Sequence, residues 1–395
     1  MNIGFVSTWF ERGAAYVTKA YIELLKDENN IYIYARAGEK YGKGDPNWDW
    51  ENVTWGLQLE GTKINFNHFK KWIKKNNIEV IFFNEQKDVE ILIEIKKKLP
   101  TIKIGAYIDY YKEDTIKEFW LYDFLICNTK RHYSVFKIHP QCYYVPWGTN
   151  IELFKPKIME NKRITFFHSM GMSLRKGTDI LIKAFIEGDL YKESDLIIHT
   201  QLNLLKSLGY NKNELAKYNI KIIEKTVTAP GLYHLGDVYV YPTTLDGLGL
   251  TIYEALSVGL PVITTNNGPM NEIIEDRKNG YLVEVEKYCS RSDGYYWPLS
   301  YCDKNSLIEA MRYFIKNKDK MNEFKINSRE YAISKLNWNK NKYIINEIFK
   351  NTKTLSNLER NLKKNIQDRY LRIILSIFPD RVVHFIHIIC KNKKW

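Results

Sequence analysis

Residues 242–276 read Pro-Thr-Thr-Leu-Asp-Gly-Leu-Gly-Leu-Thr-Ile-Tyr-Glu-Ala-Leu-Ser-Val-Gly-Leu-Pro-Val-Ile-Thr-Thr-Asn-Asn-Gly-Pro-Met-Asn-Glu-Ile-Ile-Glu-Asp. Val238 to Tyr241, just before, is a β-branched and aromatic run of strand type. Gly247 and Gly249 interrupt that pattern and let backbone approach a ligand closely. Ile252, Ala255 and Leu256 fall at helical spacing, so a helix is predicted to begin near Leu250 or Thr251. Gly259-Leu260-Pro261 stops it, and Val262 to Thr265 is the next strand. The unit is strand, glycine loop, helix, strand. Free N–H groups and a positive dipole end at such a helix start suit a phosphate. Asp246 and Glu254 bracket the turn. A tight connection with no ligand is the alternative for a glycine loop taken alone.

The whole string is more specific. It resembles the signature of retaining, nucleotide-sugar-dependent glycosyltransferases of the GT4 family. That signature is Glu-Gly-Phe-Gly, then a second Glu followed by Ala, and later Gly-x-Pro-Val. Asp246 stands at the first Glu and Leu248 at the Phe, with the seven intervening residues kept before Glu254. The resemblance implies a GT-B fold: α/β, two Rossmann-like doubly wound parallel-sheet domains facing a central cleft.

The 395 residues suffice for two domains with full cores. At 45% hydrophobic and 14% aromatic, the composition is globular. No run approaches the roughly 18 uncharged apolar residues of a membrane-spanning helix. The opening Met-Asn-Ile-Gly-Phe-Val-Ser reads as a strand rather than a signal peptide. Five dispersed cysteines without a Cys-x-x-Cys pair point to a reducing compartment, hence the cytoplasm, and to no zinc. The net charge of +13 fits an anionic sugar nucleotide, an anionic membrane face or nucleic acid, without choosing among them.

Along the first half, strand 2–7, a loop through Gly13 and Ala14, a helix from Tyr16 to Lys26 and strand Ile31–Ala35 make a Rossmann-type opening. Gly13 stands alone, so this is no dinucleotide fingerprint. Residues 36–57 are expected to be irregular and to line the acceptor side. Further strand and helix units follow to Cys127. Asn84-Glu85 and Asp109 lie at strand C-terminal ends, where open parallel sheets bind ligands. Glu85 and Asp109 are candidates to orient an acceptor hydroxyl; a solvated loop acid is the alternative for each. His132, at the start of a helix, reads as structural.

A charged stretch over 155–162 marks the hinge. In the second half, strand 163–168 leads through Arg175-Lys176-Gly177 into an amphipathic helix. Two cations at a helix entry oppose its dipole unless an anion joins them, which points to a diphosphate site. An aromatic insertion, Tyr288 to Tyr301, precedes the last helices. Residues 351–395 carry ten basic and three acidic side chains around two short apolar runs. They fit a basic amphipathic helical tail lying on an anionic membrane surface, or a helical pair packed on the protein.

The resemblance then implies a division into an acceptor domain at 1–157, a donor domain at 158–335, a helix at 336–350 crossing back, and the tail. It implies a metal-independent hexosyltransferase with no cofactor beyond its co-substrate. The donor would be a UDP- or GDP-sugar and the acceptor a sugar, glycan or glycolipid. Lys176 and Arg175 would stabilise the departing diphosphate, Asp246 touch the transferred sugar and Glu254 hold the ribose. Gly13, Ala14, Val227, Thr228, Gly247, Leu248, Gly249, Leu250 and Thr251 would form the donor cradle, Val227 and Thr228 cupping the base. A catalytically silent nucleotide-sugar-binding protein on the same fold is the competing reading. No nucleic-acid motif accompanies the charge.

Overall fold

The computed structural model describes residues 1–36, 42–157, 161–171, 173–201 and 207–355. The tail expected over 351–395 therefore lies almost wholly outside the described residues, as does the middle of the hinge.

Two parallel sheets organise the chain. The first holds β1 (Asn2–Ser7), β2 (Asn30–Ala35), β3 (Val53–Trp55), β4 (Val80–Phe83), β5 (Lys103–Tyr107), β6 (Phe124–Cys127) and β7 (Cys142–Tyr144), ordered 3-2-1-4-5-6-7. The second holds β8 (Ile164–Gly171), β9 (Ser194–Thr200), β10 (Ile220–Glu224), β11 (Val238–Tyr241), β12 (Val262–Thr265) and β13 (Gly280–Val283), ordered 10-9-8-11-12-13. Both are doubly wound, because the order reverses beside the first strand of each. The central strands are apolar throughout: β4, β6, β11 and β12 are buried at every residue. Sheets covered by helices on both faces select such runs over alternation.

The helices α1 (Gly13–Leu25), α2 (Phe66–Lys75), α3 (Glu90–Lys98), α4 (Lys130–Phe136) and α5 (Thr178–Glu187) pack on these sheets with the helix Leu250–Ser257 and later ones. The last described helix, Lys342–Asn351, returns to the first lobe. Its Phe349 ring lies 5.1 Å from Phe82 and 5.3 Å from Phe124. Trp338, just before it, meets Trp147 at 4.4 Å and donates Nε1–H to Ala20 O at 2.9 Å.

Three local expectations change. Helix α1 starts three residues earlier than predicted, at Gly13, because Arg12 takes the extended cap conformation. Within 42–57 the chain is irregular, as expected, as far as Asn52 and then forms the short strand β3. Trp9 stands edge-on to both Trp48 and Trp50, and Lys19 sits 3.5 Å above the Trp48 ring. The helix expected near Pro230–Leu235 shrinks to a 3₁₀ turn at Tyr233–Leu235, since Gly231 is left-handed with φ +73°. The aromatic insertion forms an antiparallel hairpin, β14 (Val285–Cys289) with β15 (Leu299–Cys302).

Candidate functional site

In each sheet the switch point lies between neighbouring strands whose exits face the cleft between the lobes. Ligands of open α/β sheets bind there. In the second lobe those strands are β8 and β11. A 3₁₀ turn over Leu174–Lys176, capped by Ser173, follows β8, and the 242–249 loop follows β11. Gly177 permits their close approach. A Cβ there would stand 2.0 Å from Pro242 O, and its φ of +77° is left-handed.

That approach joins Lys176 to Asp246. Lys176 Nζ donates to Asp246 Oδ1 at 2.7 Å and also to the Tyr241 hydroxyl. The Tyr241 hydroxyl donates to Asp246 Oδ2 at 2.6 Å, and Thr243 Oγ1 to the same oxygen at 3.1 Å. Arg175 O, in turn, accepts from Thr244 N at 2.9 Å. Three donors thus fix Asp246. The Lys176 charge, which the sequence left unanswered, is balanced by Asp246 in this structure. Arg175 is exposed beside them and favours the ionised form of Asp109 across the cleft.

The helix Leu250–Ser257 opens at Gly249, in a left-handed conformation with φ +75° and no side-chain cap. Its first N–H groups are left for an anion. Glu254, one turn on, accepts from the Tyr233 hydroxyl. Burial raises its carboxyl to about 7, and the Tyr233 hydrogen bond pulls the other way. The carboxylate also acts across the cleft, on Tyr16 of α1.

The first lobe supplies the opposite wall. Gly13 faces the Leu250 side chain at 3.8 Å from where its Cβ would be. Arg12 pairs with Glu85 at 3.8 Å. Asp109 presses on the glycine loop: a Cβ on Gly247 would stand 1.8 Å from its Oδ1. Burial first, and then Glu85, raise the Asp109 carboxyl to about 8. His132 is fully buried and bonded through Nδ1 to the Tyr111 hydroxyl at 3.1 Å. Burial and the Arg131 charge lower it to about 3, so the ring is neutral. Its other ring nitrogen, Nε2, faces the Gly247 backbone.

The expected site residues thus divide. Lys176, Asp246, Gly247, Gly249, Leu250 and Glu254 converge from the second lobe, with Gly13, Glu85 and Asp109 opposite. The Leu248 side chain is committed to the core at 5% exposure, leaving only its backbone to the loop. Ala14 is buried, and its carbonyl accepts from Asn84 Nδ2 at 2.7 Å. Val227 is half-buried and Thr228 exposed in the loop after β10. The Thr251 hydroxyl is buried beside Tyr239 and Tyr241. Sequence reasoning missed Tyr233 and Tyr241, which hold Glu254 and Asp246, and the site-facing nitrogen of His132. The available signal for His132 was position, since it follows the exit of β6 as Asp109 follows β5.

Residues 150–291 match the family model described as Glycosyl transferases group 1. Over 157 residues the chain is 28% identical to the UDP-Gal:alpha-D-GlcNAc-diphosphoundecaprenol alpha-1,3-galactosyltransferase of Escherichia coli, covering 36% of this chain and 41% of that one. It is 30% identical over 141 residues to spore coat protein SA of Bacillus subtilis, covering 32% and 36%. The chain thus spans about two fifths of the length of these relatives. Among solved structures it resembles a glycosyltransferase from Rickettsia africae, with TM-score 0.68 and 15% identity over 89% and 99% of the two chains. It also resembles Anabaena HepE in complex with UDP-glucose, with TM-score 0.67 and 15% identity over 88% and 98%. The fold is GT-B.

Proposed function

From a GT-B fold whose second lobe carries a group 1 glycosyltransferase segment, we propose that this chain transfers a hexosyl unit from a UDP-sugar to a hydroxyl of a sugar or glycolipid, with retention at the anomeric carbon. One observation carries the reading: Lys176, fixed by Asp246 and Tyr241, stands beside the uncapped helix start at Gly249. Lysine charge and free N–H groups converge where two phosphoryl groups would lie. The glycosidic C–O bond breaks with negative charge growing on the departing diphosphate. Lys176, Arg175 and the helix start stabilise that charge.

The arriving diphosphate competes with Asp246 for Lys176 and frees the aspartate to accept from the transferred sugar. Glu254 accepts from the ribose hydroxyls once ionised. The likeness to a UDP-galactose-dependent enzyme and to a UDP-glucose complex favours uridine as the base. Retention follows from the family resemblance, by front-face attack in which the leaving phosphate takes the acceptor proton.

Lys176→Ala is expected to lower turnover at least about a hundredfold, the scale of one lost charge stabiliser. The measurement is release of UDP from UDP-glucose and UDP-galactose. A variant with near-native turnover excludes Lys176 from the chemistry. A native chain that binds UDP-sugars and never turns them over is instead a silent binder.

A further inference from the structure

The hairpin β14–β15 follows the second sheet in sequence, yet its loop lies on the first lobe. Tyr296 N donates to Tyr111 O at 3.0 Å, and Trp297 Nε1 to the Tyr111 hydroxyl at 2.6 Å. Lys112 and Tyr295 form an antiparallel bridge. The Tyr110 and Tyr295 rings stack at 5.1 Å, and the Tyr110 hydroxyl donates to Asp293 Oδ2 at 3.2 Å. At its base, Ser300 N donates to Thr244 O at 2.8 Å, two residues before Asp246. The hairpin therefore ties the donor loop of one lobe to the exit of β5 in the other.

One bond of this strap reaches the cleft. The Tyr295 hydroxyl donates to Asp109 O at 3.1 Å, and Asp109 is the residue pressed against Gly247. The Asp109 carboxyl is also hydrogen-bonded to that of Glu85. Burial keeps the proton on Asp109, whose carboxyl then donates to Glu85. Such a pair can both donate to and accept from a hydroxyl, as a sugar hydroxyl itself does.

The turn carrying Glu85 is held against its own preference. Glu85 has φ +52°, unusual for a side-chain-bearing residue. Buried Arg36 donates to Asn84 O at 3.1 Å and Gln86 Oε1 at 3.0 Å. Asn84 Nδ2 also donates to Thr18 Oγ1, at 2.9 Å. A conformation fixed this firmly, at a strand exit, points to a task for the side chain it presents.

We propose that the 285–302 hairpin is the acceptor-selecting wall of the site: Tyr295 fixes Asp109 so that the Asp109–Glu85 carboxyl pair receives a hydroxyl of a neutral sugar ring beside Gly247. The inference rests on the glycosyl-transfer reading above and assigns its acceptor chemistry to a part of the donor lobe. Tyr295 is a positioning residue, since it acts through Asp109.

The test uses the full chain, UDP-glucose and UDP-galactose as donors, and 4-nitrophenyl glucoside, galactoside and N-acetylglucosaminide as acceptors. UDP affinity is measured separately by calorimetry. Tyr295→Phe keeps the stacked ring and removes the bond to Asp109 O; Tyr295→Ala removes both. Acceptor KM is expected to rise about fivefold in the first, the scale of one hydrogen bond, and about tenfold or more in the second, with UDP affinity moving less than about twofold. Unmoved acceptor KM in Tyr295→Phe, or UDP affinity falling in step with it, overturns the proposal, and the Phe variant decides if the Ala variant does not fold. A native chain that turns over a UDP-sugar but glycosylates none of the three acceptors overturns the neutral-sugar assignment. A native chain that binds neither UDP nor GDP overturns the transfer reading first, and this inference with it.

Discussion

Glu254, which we propose holds the ribose, has its ionisation set by the fold. Burial raises its carboxyl to about 7, against the pull of the Tyr233 hydrogen bond. The unfolded chain ionises first as pH rises from the ordinary carboxylate value, so stability from this group is lost up to about pH 7. Ribose hydroxyls prefer the ionised form as acceptor. UDP affinity is therefore expected to climb up to about tenfold between about pH 6 and about pH 8 and then level off. Glu254→Gln should bind UDP more weakly and flatten that profile; calorimetry across the range measures both. A native profile already flat removes Glu254 from the ribose. The spacing of Asp246 and Glu254 made both acids legible in the sequence. Their tyrosine partners were not, because Tyr241 sits in a run whose alternation and branching describe only a strand, and hydroxyl direction has no sequence signal.

At the scale of the element, the strand–loop–helix–strand reading of 238–265 agrees closely with the structure: β11, the helix Leu250–Ser257 and β12 occupy the places expected. The elements that escaped share a cause. A hairpin whose one buried ring packs against another lobe has no period of its own, and that ring, Tyr295, meets Tyr110 and Tyr111 of the first lobe. The Leu174–Lys176 turn likewise has distant partners: Thr244 N and Thr243 Oγ1 donate to Arg175 O, and Gly177 lies against the carbonyl of Pro242. Gly177→Ala would place a methyl 2.0 Å from that carbonyl at φ +77°. Loss of about 2–4 kcal/mol of stability is expected, from backbone strain and displacement of the loop. A clear fall in melting temperature, with weaker UDP binding, is the readout. An unchanged melting temperature would show that β8 and β11 exits tolerate separation.

At the scale of the whole molecule, the hairpin spans the cleft, and so does the Glu272 carboxylate of the second lobe, which caps α4 of the first by accepting from Lys130 N at 2.7 Å and Arg131 N at 2.9 Å. The described chain ends on the first lobe, away from both. Lys353 N donates to Gln141 Oε1 at 3.0 Å, and Leu355 N to Asp123 Oδ1 at 2.8 Å. Gln141 and Asp123 each precede a strand of the first sheet, so the tail leaves from the strand ends opposite the cleft. No described helix is long and apolar enough to cross a membrane. The tail carries ten basic and three acidic residues, more than half of the net +13. We propose that this charge, beside short apolar runs, binds an anionic bilayer surface, at about 1 kcal/mol per nearby Lys or Arg. Deleting 366–395 is then expected to lower affinity for phosphatidylglycerol vesicles at least about a hundredfold, and added salt should weaken what the full chain binds. Co-sedimentation at two ionic strengths separates this from packing of the tail on the protein: a tail packed on the first lobe leaves vesicle binding unmoved by the deletion and lowers melting temperature instead.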